Sequence, residues 1–279
     1  MSSSRVKTVA IVALLLINAF FLTFIIIEAA SAVRNEVEAM ENVCAVLRAG
    51  GIAVSPDYIR TGGAIRPMRT SRVLEAEETI AHAILGPTVK TDQVVIYHFE
   101  NAERGSAEFA SAGDFDIRLY EGVITSTSGA LRTVEGLLRS MRIESAGLVM
   151  TIDPENDTET VIALGAHGGA RIFNCSIEFV FHGGSLQTVR GRLIAGIEPV
   201  EDGAVISNVS SALLGFLAEV RRAEREDVAA ARIYGVDPGY RHRVIGPSGE
   251  GVLDPAWLIS TDAGNYMVDD ATGEIWPLG

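Results

Sequence analysis

The pattern of hydrophobic positions separates an apolar segment, residues 9–27, from a longer part in which helical and strand periodicities alternate. The apolar segment has no charged residue, and a helix of its length, at about 1.5 Å per residue, spans the roughly 30 Å hydrocarbon core of a bilayer. Arg5 and Lys7 precede it and Glu28 follows it, which favours a cytoplasmic N-terminus. The pattern therefore predicts a single-pass cell-membrane protein with an extracellular C-terminal ectodomain.

A cleaved signal peptide is the alternative interpretation of the same segment. Ala30, Ser31 and Ala32 form an acceptable cleavage site after the apolar run. The run is longer than the about 7–15 apolar residues of a usual signal peptide, so we expect an uncleaved anchor. Both interpretations place the rest of the chain outside the cytoplasm.

Four segments beyond the anchor have apolar residues at helical spacing. The first is a juxtamembrane stalk that ends at Gly50 and Gly51, and the last begins with Ser207 as a helix cap. The predicted helices cover residues 32–49, 71–85, 128–143 and 207–226.

Segments of alternating polarity between these helices predict strands. Two of them flank Gly183 and Gly184 and form a strong hairpin signal, because paired glycines suit a two-residue turn. The predicted strands cover residues 52–54, 93–99, 107–112, 115–124, 147–152, 160–164, 171–181, 185–194, 229–239, 256–261 and 266–268.

A helix followed by antiparallel strands, repeated along the chain, predicts an α+β fold class. We expect a single N-terminal transmembrane helix and an exported ectodomain built of repeated helix-plus-antiparallel-sheet modules. The predicted divisions are a cytoplasmic tail (1–8), the transmembrane helix (9–27), the juxtamembrane stalk helix (28–50), a first α+β module (51–126) and a second α+β module with the C-terminal hairpin (127–279).

The net charge of −13 argues against one class of partner. Residues 1–28 carry a net charge of +1, so the remainder carries about −14 and repels phosphate backbones. Nucleic-acid binding is therefore not expected. Cys44 and Cys175 are the two cysteines of the chain, and the sequence leaves open whether they pair.

No motif in the chain predicts catalysis or metal binding. The five histidines lack zinc-site spacing. The acidic stretch 153–159 resembles a calcium loop, but Thr158 and Leu164 stand where that loop needs glycine and a bidentate acid, so a solvated turn is favoured. The glycine-rich stretch 165–169 lies between two strands and favours a hairpin or bulge. We expect no enzyme, no cofactor and no metal.

Asn18 is a polar residue inside the apolar segment. A carboxamide in hydrocarbon is costly unless it is hydrogen-bonded, and it can join helices across a bilayer. We hypothesise that a stripe of the segment contacts a transmembrane helix of a partner, the alternative being a tolerated single asparagine. The stripe consists of Ile11, Leu14, Asn18, Leu22 and Ile25.

The most specific pattern lies at residues 255–275. Pro255 and Trp257 open a strand, a polar turn follows, Tyr266 lies in the next strand, and residues 271–274 (ATGE) make another turn. This pattern resembles the C-terminus of the YycI-type regulatory membrane proteins of Gram-positive two-component systems, which are related to the YycH type, and also the hairpin of PepSY domains. The diffuse resemblance extends over most of the chain, including LRAGGI at 47–52.

The YycI-type resemblance implies a non-enzymatic, membrane-anchored accessory protein. Such a protein modulates a sensor histidine kinase of a cell-wall-linked two-component system through transmembrane and ectodomain contacts, and a YycH-type sister protein is a further expected partner. The alternative is a PepSY-like exported module that binds or inhibits a peptidase. A cell-surface enzyme or solute-binding protein without a recognised motif is the third possibility.

Overall fold

The computed structural model describes residues 37–60, 65–92, 96–201, 206, 209–222 and 231–278. Helix α1 covers residues 37–49, and a short 3-10 helix covers Pro56–Tyr58. The other helices are α2 (Leu74–Leu85), α3 (Ala130–Met141) and α4 (Val209–Arg221). The strands are β1 (Met68–Thr70), β2 (Val89–Asp92), β3 (Tyr97–Asn101), β4 (Gly105–Phe109), β5 (Asp114–Leu119), β6 (Ser145–Asp153), β7 (Thr158–His167), β8 (Ala170–His182), β9 (Ser185–Arg192), β10 (Glu198–Pro199), β11 (Ile233–Val244), β12 (Gly251–Thr261), β13 (Gly264–Asp269) and β14 (Ile275–Leu278).

The strands form one large mixed sheet, so the prediction of an α+β fold made of repeated modules is wrong. The main path through the described strands runs β10-β1-β12-β11-β8-β9-β5-β4-β3-β2, and β6–β7 and β13–β14 branch from β8 and β12. Two antiparallel pairings join the two predicted modules, β5 with β9 and β1 with β12. Within the second module, β8 pairs with β11 in parallel. Such long-range pairings leave no signal in local periodicity, which is why the pattern suggested separate sheets.

The parallel link between β8 and β11 depends on a glycine. Gly239 pairs with Arg171, and a Cβ atom at this position would lie 2.5 Å from both the Arg171 carbonyl oxygen and the Phe173 ring. Any side chain there would push the two strands apart, because packed interiors leave no room for such an overlap.

The predicted transmembrane helix lies outside the described residues. Within the described ranges, no helix is long and apolar enough to cross a membrane.

The first hydrophobic cluster lies under α2 and α3, on one face of strands β3–β5 and β7–β9. Its buried members fall in two ranges of the chain, from Ile80 to Leu119 and from Ala130 to Val189. Phe109 is in contact with Phe99, edge to face at 5.6 Å, and with Phe115, stacked at 5.5 Å. The sheet and the two helices thus share one core on both sides of the predicted module boundary at 126/127.

The second cluster lies between α1, α4 and the C-terminal strands. The predicted hairpin there is confirmed: β12 and β13 pair antiparallel from Ala256–Asp269 to Thr261–Gly264. Tyr266 lies 5.3 Å from Phe216 of α4, ring centre to ring centre, and Trp257 is 2% exposed. These two aromatic side chains therefore pack between the hairpin and the preceding helix α4.

The predicted glycine hairpin is also confirmed. His182 pairs with Ser185, and Gly183 and Gly184 between them have φ of 57° and 73°. Positive φ at both central residues is the requirement of the type I′ turn, which glycine meets without steric cost.

Candidate functional site

A cavity of about 460 Å³ lies where the first cluster meets a smaller, third cluster, whose buried members are Ile65, Ile172, Cys175, Tyr240 and Leu253. Its walls come from the start of α2, the end of α3, strands β7 and β8, and the segment after β9. This volume is within the range of about 300–1,000 Å³ that is usual for ligand pockets. The cavity is therefore the main candidate for a binding site in the described part of the chain.

Apolar side chains make up most of the cavity wall. Met141, Ala163 and Ile177 belong to the first cluster, and Ile172 and Cys175 belong to the third cluster. Charged side chains lie towards solvent, among them the exposed Glu75 and Arg142. An apolar interior with a charged rim suits the insertion of an apolar side chain from a partner.

The segment after β9 is held in place by a close backbone contact. Ser71 donates its backbone N–H to the Ala195 carbonyl at 3.1 Å. Gly196 has a φ of 53°, and a Cβ atom there would lie 2.1 Å from the Ser71 hydroxyl. Residues 193–197 therefore form a fixed wall of the cavity rather than a loose loop.

Cys175 brings a thiol, a potential nucleophile, to the cavity wall. Burial raises the pKa of its thiol to about 12, an effect that the nearby Arg192 only partly offsets. The thiol is therefore protonated at neutral pH and is a poor nucleophile, since the thiolate is the reactive form. Cys175 acts here as a small hydrophobic residue.

Arg192 at the same wall is already paired. Its guanidinium donates two hydrogen bonds to the Asp114 carboxylate, at 2.8 and 3.0 Å, which raises the pKa of Arg192. This bidentate arrangement leaves little positive charge for an anionic ligand.

The glycine-rich stretch 165–169 ends at the rim of the cavity. It forms the predicted connection between β7 and β8, with Gly168 and Gly169 at φ of 57° and 80°. Both backbone N–H groups donate to the Glu144 carboxylate, at 2.9 and 2.7 Å. The backbone N–H groups of this turn are thus occupied by a carboxylate of the same chain. His167 lies beside the turn in the cavity wall.

The acidic stretch 153–159 is the predicted turn, between β6 and β7. The side chain and backbone N–H of Asn156 donate to the Asp153 carboxylate, at 2.7 and 3.3 Å, and these bonds lower the pKa of Asp153. The Asp153 carboxylate therefore stabilises the turn in which it lies. Among the described residues, no group of three or more histidine, cysteine or acidic side chains is placed to hold a metal ion.

The two cysteines are both free and buried. Cys44 lies in the second cluster and Cys175 in the third. The predicted transmembrane stripe of Ile11, Leu14, Asn18, Leu22 and Ile25 lies outside the described residues and stays a prediction. The cavity itself was missed at the sequence level, because its wall residues come from five separate segments that no local pattern connects.

Comparison with known proteins adds a likeness in fold. No protein-family model matches the chain, and no curated protein matches it. One solved structure with a similar fold is that of an uncharacterized protein from Eubacterium rectale ATCC 33656, at 12% sequence identity and a TM-score of 0.51. The match covers 81% of this chain and 93% of that one. At this identity the likeness concerns the fold alone.

Proposed function

We propose that this chain is a non-enzymatic accessory protein that binds partner proteins and modulates a sensor histidine kinase of a cell-wall-linked two-component system. The observation that carries the binding role is the apolar cavity of about 460 Å³ between the first and third clusters. Its rim is charged and its interior is apolar, which favours a hydrophobic side chain of a partner as the occupant.

The chemistry of the cavity favours binding over catalysis. A catalytic site needs an activated nucleophile or a general acid–base group within reach of the substrate. Cys175 has a pKa of about 12, and Arg192 is engaged with Asp114. Glu144 accepts from two backbone N–H groups. Arg192 and Glu144 at the wall thus have structural partners of their own.

The kinase as partner rests on the resemblance of residues 255–275 to the YycI-type C-terminus. These residues form β12, β13 and the turn before β14, and they pack on α4 through Trp257 and Tyr266. Contacts through the stripe around Asn18 would add to those made by the ectodomain, as in the sequence-based hypothesis.

The test is a pull-down of tagged full-length protein from membranes, with partners identified by mass spectrometry. Ala76 lies half-buried in the cavity wall on α2, and Ala76→Phe would fill the space. Ala102→Phe is the matched control, because Ala102 is exposed in the turn between β3 and β4. We expect a histidine kinase with the wild type and with Ala102→Phe, and a large loss of recovery with Ala76→Phe.

Two results would contradict this proposal. Equal recovery of the kinase with Ala76→Phe, in a variant whose circular dichroism matches the wild type, would remove the cavity from the interaction. A peptidase recovered in place of the kinase would favour the PepSY-like alternative, and slowing of that peptidase by the purified protein would establish it.

A further inference from the structure

Strand β6 is an exposed apolar edge of the sheet. Among the described residues it pairs with β7 alone, so the backbone N–H and C=O groups along its other side have no strand partner. Val149 is 49% exposed, Met150 39% and Ile152 55%. Proteins usually avoid long apolar edges, because such edges pair with other chains.

Strand β6 has few of the features that usually protect an edge strand from pairing with another chain. Residues 145–153 contain no proline, lysine or arginine, and their one charge is Asp153 at the end. A register shift between Ser145 and Gly147 disrupts only the first residues of the strand. Residues 148–153 are thus left as a regular strand that a second strand can extend.

An apolar groove of about 620 Å³ lies between helix α3 and the start of this edge, residues 145–148. Leu131, Leu138, Ile143 and Leu148 line it, with Glu135 and Arg139 at the rim. A groove between an edge strand and a helix is the geometry in which an added strand places alternate side chains against the helix.

The strand β6 itself has the sequence that would suit this groove. Leu148 pairs with Ala163 and Met150 pairs with Val161, and both partners are buried under α3. Leu148, Met150 and Ile152 therefore share the face that carries α3. A second β6 strand would present the same alternating apolar side chains to the helix.

We propose that two copies of this chain associate through antiparallel pairing of their β6 strands, which extends the sheet across a two-fold axis. A two-fold interface uses the same surface on both copies, so that surface must be complementary to itself. The proposal does not depend on the function proposed above.

The charges at the two ends of β6 meet this requirement. Arg139 and Arg142 are exposed at the end where the strand starts, and Glu155 and Asp157 are exposed in the turn where it finishes. Antiparallel pairing places the basic end of each copy beside the acidic turn of the other. Glu144 also lies at the basic end. Its carboxylate accepts hydrogen bonds from the backbone of Gly168 and Gly169, which weakens its repulsion of the partner's acidic turn.

The test is sedimentation equilibrium of the full-length protein in a density-matched detergent solution. We expect the wild type to form a dimer and Met150→Lys to weaken it by roughly tenfold or more, because the lysine would place a charge on the apolar face of the two paired strands. Ile245→Lys is the matched control, since Ile245 is 58% exposed and lies beyond the end of β11. This control should dimerise like the wild type.

A charge exchange tests the antiparallel arrangement. Arg139→Glu should weaken the dimer by placing like charges together, and Arg139→Glu combined with Glu155→Arg should restore it. A wild type that stays monomeric at all concentrations would overturn the proposal. So would a dimer that Asn18→Leu dissociates while Met150→Lys leaves it intact, because that result would place the contact in residues 9–27.

Discussion

At the scale of single residues, His242 is a buried titratable group with few polar partners. It is 5% exposed, its Nε2 lies 3.2 Å from the Thr70 hydroxyl, and its Nδ1 has no hydrogen-bond partner. Burial, and to a lesser extent the nearby Arg192, lower the pKa of His242 to about 4, while Asp114 and Asp254 oppose the shift. The neutral imidazole is thus the form that the fold accepts.

Acid should therefore destabilise the protein through His242. The unfolded chain has a histidine pKa of about 6.5, so between pH 6.5 and about 4 the unfolded state binds more protons than the folded state. The contribution of neutral His242 to the free energy of unfolding is full above pH 6.5 and is lost as the pH falls towards 4. We expect the urea midpoint to fall from pH 7 to pH 5, and to fall less in His242→Gln.

The control for this experiment is His182→Gln, because His182 is exposed at the end of β8. Its midpoint should follow the wild-type pH dependence. If His242→Gln also follows the wild-type curve, the acid sensitivity belongs to other groups.

At the scale of elements, local pattern predicted the hairpins better than the strand limits. The turn at Gly183 and Gly184 is confirmed, because positive φ at both residues is a local property. The predicted strand 93–99 overlaps β3 at residues 97–99, and the predicted strand 52–54 is a single bridge from Ala53 to Arg232. Strands β1, β2, β10 and β14 were missed, because strands of two to four residues are too short to show a periodicity of their own.

The close contact between β8 and β11 gives a prediction at this scale. Gly239→Ala should lower the free energy of unfolding by about 1–3 kcal/mol or more, because the added methyl overlaps the Arg171 carbonyl and the Phe173 ring. Gly136→Ala in α3 is the matched control, since a Cβ atom there has no neighbour within 4 Å. This control should raise stability by up to about 1 kcal/mol through helix propensity.

Urea denaturation of both variants measures the difference. A Gly239→Ala variant as stable as the wild type would mean that β8 and β11 can separate at this point without cost, and that the link between the two parts of the sheet is weak.

At the scale of the whole molecule, the sheet connects the first and second clusters. The pairing of β5 with β9 and of β8 with β11 leaves no break in the main path of the described sheet. Elements that share a sheet and a continuous core usually unfold together. We therefore expect the described part of the chain to behave as one cooperative unit.

Two matched substitutions test this expectation. Leu186 belongs to the first cluster and Leu213 to the second, and both side chains are fully buried. Each Leu→Ala change should cost about 2–5 kcal/mol and shift one common transition. The measurement is urea unfolding followed by far-ultraviolet and near-ultraviolet circular dichroism. Two separate transitions, each moved by one of the substitutions, would show that the clusters unfold independently.

The sequence by itself determined the local features of this protein. Helices α2, α3 and α4 follow from three- and four-residue spacing, and the β8–β9 and β12–β13 hairpins follow from alternation and turn residues. The acidic stretch 153–159 was correctly interpreted as a turn, because its mismatch with a calcium loop is visible in the residues themselves.

Only the tertiary structure decided which strands are neighbours and where a cavity lies. The merging of two expected modules into one sheet depends on the β5–β9 and β1–β12 pairings. The cavity depends on segments that are distant in sequence, from Glu75 to Ile197. Periodicity records which face of an element is buried but not what covers it, and that choice is made by packing between distant parts of the chain.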